Sequence, residues 1–134
     1  MRVFSALLMP MLLTVSAAAQ DLDTTDDVAI EAPDVTEIDG GMASYYGNEL
    51  AGNRTASGER FDPGQMTGAH RTLPFGSMVR VTNVSNGDSV VIRINDRGPF
   101  SRGRVIDISQ AAAREIGMHR SGTARVKLAL LNDD

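Results

Sequence analysis

The amino-acid sequence predicts a mainly β domain closed into a small barrel. Short runs of alternating apolar and polar residues recur between Gly-, Asn- and Pro-rich segments, as half-buried strands do. One short stretch alone has helical character, and no long amphipathic helix is present. The domain is also small, so every sheet edge needs protection, which favours a barrel over a sandwich.

Three segments follow one another along the 134 residues. Residues 1–19, MRVFSALLMPMLLTVSAAA, place one Arg before an apolar run and then small residues, the order of a secretory signal peptide. Ala17-Ala18-Ala19 offers the cleavage site, and the apolar run is short for a membrane span. Residues 20–40 hold Asp21, Asp23, Asp26, Asp27, Glu31, Asp34, Glu37 and Asp39 with no Lys or Arg, and read as an acidic, disordered linker. Residues 41–134 are the domain. They carry 12 Lys+Arg against 9 Asp+Glu, or +3, although the whole chain is −4. The acidity therefore sits in the linker, and a general nucleic-acid binder is disfavoured.

Within the domain, residues 42–46 form an opening strand closed by Gly47, and residues 47–68 form a long irregular loop. Residues 78–84 and 89–95 are paired strands around Ser85-Asn86-Gly87-Asp88, which marks a tight hairpin. Residues 96–104 make a second Gly/Pro loop, and residues 105–108 a short strand. Ser109 caps a helix through Ala111, Ala112, Ala113 and Ile116 that Gly117 ends. Ala124, Val126, Leu128 and Leu130 share one face of a last strand.

The chain has no cysteine, which excludes disulfides, Cys–zinc sites and a thiol nucleophile. With 2 His in the chain and neither the phosphate-loop nor the H-E-x-x-H pattern, no metal or other cofactor is expected. Five of the six aromatic side chains (Tyr45, Tyr46, Phe61, Phe75 and Phe100) fall between residues 41 and 100, where a sugar-stacking surface needs them.

Several blocks then occur in order: Met42-Ala43-Ser44-Tyr45-Tyr46-Gly47, Thr55-Ala56-Ser57-Gly58-Glu59, Ala69-His70-Arg71-Thr72-Leu73-Pro74-Phe75-Gly76, Val81-Thr82-Asn83 and Asn95-Asp96-Arg97-Gly98-Pro99-Phe100. Arg104-Val105-Ile106-Asp107-Ile108-Ser109 and Ala111-Ala112-Ala113 complete the series. As an ordered set they resemble the rare lipoprotein A family of septal lytic transglycosylases, over nearly all of residues 41–130. The resemblance implies a six-stranded double-psi β-barrel, shared with expansins and family-45 endoglucanases. It implies a substrate, the peptidoglycan glycan strand, for characterised members one stripped of stem peptides.

Residues that the family needs for activity match Glu59, His70 and Asp96, and Asp107 matches an acid of the related barrels. The chain departs from the family in lacking a lipobox cysteine, so a soluble, periplasmic, monomeric protein is expected and not a lipoprotein. The family's C-terminal peptidoglycan-binding (SPOR) domain has no match in these residues, which puts recruitment to the septal ring through that domain in doubt. Gly68-Ala69 stands where the family has Ala-Ala, a minor change in sequence.

Each matched residue has its own chemistry. A lytic transglycosylase needs one carboxyl group that first protonates the leaving oxygen and then accepts a proton from the C6 hydroxyl that attacks C1. Asp96 fits that role, because it ends a strand beside a rigid Arg-Gly-Pro turn. Such turns also recruit Asp to bond local backbone N–H groups. His70 either tunes that carboxyl group or contacts sugar. Glu59 is either a second carboxylate facing Asp96, raising its proton affinity, or one half of a surface ion pair with Arg54 or Arg60. Asp107 suits a helix-start role or a second acid. Tyr45, Tyr46, Arg97 and Phe100 are the expected sugar contacts, with packing or loop-bracing roles open to each. The alternatives to the enzyme are a non-catalytic glycan-binding module and a water-using muramidase.

Overall fold

A computed structural model describes residues 34–132. The expected signal peptide and most of the expected acidic linker lie outside the described residues. Six strands close into a barrel: β1 (Val35–Tyr45), β2 (Thr67–Ala69), β3 (Met78–Asn83), β4 (Ser89–Asp96), β5 (Arg104–Ile108) and β6 (Thr123–Leu131). Their order around the barrel is β1-β5-β2-β4-β3-β6. Closure leaves no unpaired edge on the sheet, the solution that a domain of this size requires.

Alternation sets the core. Val79 and Val81 of β3, Ile92 and Ile94 of β4, Ile106 and Ile108 of β5, and Val126 and Leu128 of β6 point inward and are fully buried. Helix α1 (Gln110–Glu115) plugs one end with Ala112, Ala113 and the following Ile116. Ser109 is its N-cap, accepting from the Ala112 amide at 3.2 Å, and Gly117 follows the helix at φ +71°. Both features match the sequence reading.

Three expectations are corrected. The composition predicts a linker over residues 20–40, but residues 35–40 are the first half of β1, paired with β6 from Val35↔Leu131 to Ile38↔Leu128. Ile38 packs on the core while Glu37 and Asp39 face solvent, so an acidic stretch still makes a barrel strand. The irregular loop of residues 47–68 contains a 3-10 turn, Asn48–Leu50, and ends in β2, whose three residues are too few to show a period. The β3–β4 connection is also wider than a two-residue turn. Gly87 donates back to the Asn83 carbonyl, and Asn83 and Asn86 each donate a side-chain N–H to the Ile116 carbonyl at 2.8 and 3.1 Å. Those bonds tie this connection to the end of α1.

Short as it is, β2 organises the site. It runs parallel to β4 and antiparallel to β5, so Ala69 pairs with Asp96 on one side and with Asp107 on the other. The two acids thus sit at one level of the barrel, two strand spacings or roughly 10 Å apart along the backbone. Gly68 permits this approach: a Cβ there would meet the Asp107 carbonyl at 2.9 Å and Ile92 Cδ1 at 2.5 Å. The Gly-for-Ala difference is minor in sequence but not in space.

Candidate active site

Asp96 ends β4 and lines a cavity of about 200 Å³ with Tyr46, Leu50, Asn53, Arg54, Thr55 and Phe61. Its two oxygens have different surroundings. Oδ1 accepts from the Arg97 amide at 2.8 Å and from the Ala56 amide, forty positions earlier, at 2.9 Å. Among the described residues Oδ2 accepts from the Tyr46 hydroxyl alone, at 3.3 Å. The turn role expected for such an Asp is therefore filled by Oδ1, with both lone pairs used. Oδ2 is the oxygen left to carry a proton toward the cavity.

Tyr46 is less a stacking surface than a hydrogen-bond donor. Its ring meets Phe61 edge-on at 4.8 Å between centroids, and Phe61 is buried beneath it. Burial, then the Asp96 and Asp107 carboxylates, push its hydroxyl far above the ordinary tyrosine range. It stays protonated and donates to Asp96 at any working pH. Tyr45, by contrast, packs against the core and donates to the His119 carbonyl at 2.6 Å. The structure does not bring it to the cavity, because successive strand residues face opposite ways.

His70 follows β2 directly, and its amide donates to the Asp96 carbonyl at 3.2 Å. Its Nδ1 accepts from the Thr72 and Leu73 amides at 3.1 and 3.2 Å, which assigns the ring proton to Nε2. Burial, then the positive charges of Arg71 and Arg97, hold its proton affinity below the usual histidine value. His70 is a neutral donor. It lines a second concavity with Asp39, Arg71, Thr72 and Val105, and no hydrogen bond joins its side chain to that of Asp96.

Glu59 does not face Asp96 as a second acid, nor does it pair with Arg54 or Arg60. Arg93 of β4 reaches it with two N–H groups, at 2.5 and 3.1 Å, and Asn95 Nδ2 adds a third donor at 3.2 Å. The Arg93 hydrogen bond first, and that of Asn95 next, lower its proton affinity below the usual carboxylate range. Arg54 and Arg60 instead donate to the Gly58 and Gly52 carbonyls at 2.6 and 2.9 Å.

Asp107 accepts from the Ser44 hydroxyl at 2.5 Å and lies 3.6 Å from Arg104 Nε. It is largely buried and does not line the Asp96 cavity. Arg97 braces the loops, donating to the His70 carbonyl at 3.2 Å with its guanidinium 4.1 Å above the Phe75 ring. Phe100 is 82% exposed at the tip of the second loop, free to meet a ligand.

Sequence reasoning missed four contributors: Ser44, Arg93, Asn95 and the Ala56 amide. Arg71 is a fifth, donating to the Pro99, Ser101 and Arg104 carbonyls at 2.7, 3.1 and 2.9 Å and so fixing the loop after Asp96. Alternation between inward Ile92 and Ile94 marks Arg93 only as an outward strand residue, with no sequence signal for the loop it meets.

Comparison with known proteins agrees with this architecture. A Synechocystis protein named "Probable endolytic peptidoglycan transglycosylase RlpA" is 58% identical over 100 residues, 75% of this chain and 31% of that protein. The Neisseria meningitidis serogroup A protein named "Endolytic peptidoglycan transglycosylase RlpA" is 53% identical over 88 residues, 66% of this chain and 37% of that protein. The chain thus spans about a third of the length of these relatives. Among solved structures, a Clavibacter michiganensis expansin in complex with cellohexaose shares the fold at a TM-score of 0.55 and 19% identity, covering 75% of this chain and 52% of that one. The family model described as lytic transglycolase matches residues 38–128, from the middle of β1 to the middle of β6. The match over residues 38–128 and the identity to these relatives place this chain in the lytic transglycolase family.

Proposed function

We propose that the domain is an endolytic peptidoglycan lytic transglycosylase that breaks the bond between N-acetylmuramic acid and N-acetylglucosamine and leaves a 1,6-anhydro end. One observation carries this reading. Asp96 lines an open cavity, its Oδ1 held by two backbone N–H groups and its Oδ2 met by the Tyr46 hydroxyl at 3.3 Å. The relatives' names support the same chemistry.

The reaction needs no second carboxylate. Asp96, protonated on Oδ2, gives its proton to the leaving glycosidic oxygen as the C1–O bond breaks. The muramic-acid C6 hydroxyl closes on C1, and its proton passes to the same oxygen of Asp96. The enzyme is thereby restored and no water is consumed. Tyr46 keeps Oδ2 oriented as the proton leaves and returns, and Nε2–H of His70 is a neutral donor for a sugar oxygen nearby.

A muramidase on the same groove would need a second acid free to activate water. Asp107 also acts electrostatically on the Tyr46 hydroxyl, but it is engaged by Ser44 and Arg104 and does not line the cavity. The non-catalytic alternative leaves the two-sided environment of Asp96 without a purpose. Export through the N-terminal signal segment, action in the periplasm and a part in separating daughter cells complete the proposal. They rest on the sequence reading of residues 1–19 and on the resemblance.

Mass spectrometry of purified glycan strands after digestion tests the reading. Anhydro ends are expected. New reducing ends would instead identify a hydrolase, and an absence of new ends a binding module.

A further inference from the structure

We propose that Arg93, Glu59 and Asn95 form a positioning clamp that holds the loop of residues 55–59 so that its Ala56 amide stays on Asp96. Glu59 and Arg93 are then not proton carriers but act through Asp96. This rests on the reading of Asp96 as the acid given above.

The loop is stiff in itself. The Thr55 amide donates to the Glu59 carbonyl at 2.7 Å, the Gly58 amide to the Thr55 carbonyl at 2.9 Å, and Gly58 takes φ +96°. It therefore moves as a unit, and its attachment to β4 decides where Ala56 lies. That attachment has two parts. On one side the Ser57 amide donates to the Asn95 carbonyl at 3.2 Å and the Ala56 amide to Asp96 Oδ1 at 2.9 Å. On the other, Arg93 and Asn95 together give the Glu59 carboxylate three N–H donors.

A two-point guanidinium–carboxylate contact fixes orientation as well as distance. The partner residues leave β4 at positions 93 and 95, three residues and one residue before Asp96, so strand and loop share a frame. Released from the clamp, the loop keeps a single long backbone bond and the Ala56 amide drifts. Oδ1 then loses a donor, and the proton is no longer confined to the oxygen that faces the cavity.

The full chain tests this through two independent readouts on Arg93→Ala, Glu59→Ala and Glu59→Gln. One is hydrogen exchange of the Ala56 amide, with the Ile94 amide, bonded to the Ser77 carbonyl inside the barrel wall, as the reference for folding. The other is kcat and KM for release of anhydro ends. Both Ala variants are expected to speed Ala56 exchange about tenfold or more while Ile94 is unchanged. Their kcat is expected to fall about 100-fold with KM within about threefold of wild type.

Glu59→Gln still accepts from Arg93, and should retain Ala56 protection and kcat within about tenfold. If Ile94 loses protection in an Ala variant, Arg93→Gln, which keeps the side-chain stem and an N–H donor, is read by the same criteria. Glu59→Gln with a protected Ala56 amide and no turnover would overturn the proposal, because Glu59 would then transfer a proton itself. So would Arg93→Ala with wild-type Ala56 exchange. If wild type itself makes no anhydro ends, the transglycosylase reading fails, and the exchange data still decide whether the clamp exists.

Discussion

Asp96 shows how one side chain holds two roles. Its Oδ1 serves the turn and the loop, and its Oδ2 serves the cavity, because each bound donor consumes a defined lone pair. The residue type and its motif were legible in the sequence; the division of labour was not, since the Ala56 amide comes from a loop forty residues away. The same holds for Glu59. Its motif drew attention to it, but its partner Arg93 reads in sequence as an ordinary outward strand residue.

His70 yields a pH prediction at this scale. Its proton affinity is lowered on folding, so the native state holds fewer protons than the unfolded chain over a window just below the ordinary value of about 6.5. This residue's contribution to stability is therefore complete above that window and is lost as pH falls through it. Two-dimensional ¹⁵N spectra of the imidazole should show a neutral ring protonated on Nε2 at neutral pH, with titration displaced to the acid side. A titration at or above the free-histidine value would contradict the two-amide acceptor geometry at Nδ1.

At the level of elements, the strands that alternate cleanly were legible and those that do not were hidden. β3, β4 and β6 show inward Val, Ile and Leu at every second position. β1 hides its first half among acidic residues, and β2 is three residues long, so neither offers a period to read. The cap at Ser109 was legible and carries more than a helix. Its Oγ accepts from the Ala112 amide and also donates to the Gln65 carbonyl at 2.5 Å, while its own amide donates to the Thr67 carbonyl at 2.9 Å.

It therefore joins α1 to the segment that leads into β2. Ser109→Ala removes the cap bond to the Ala112 amide and the hydrogen bond to the Gln65 carbonyl. Urea unfolding should register a loss of about 2 kcal/mol with the slope unchanged. A loss under about 0.5 kcal/mol, typical of ordinary surface changes, would show that the junction contributes nothing.

For the whole molecule, barrel closure sets the chemistry. A wall of six strands brings Asp96 and Asp107 to one level on either side of Ala69, with Tyr46 near both carboxylates. Asp96 lines the cavity beside Tyr46. The other is occupied by Ser44 and Arg104. A single available acid suits a reaction in which the sugar supplies its own nucleophile, and that is the central claim.

The most direct measurement compares Asp96→Asn with wild type on purified glycan strands, following both glycan binding and the release of 1,6-anhydro termini. Asparagine keeps the shape and the Oδ1 contacts but has no carboxyl proton to donate. The variant should bind glycan as wild type does and release no anhydro termini. Continued release of those termini by Asp96→Asn would contradict the account.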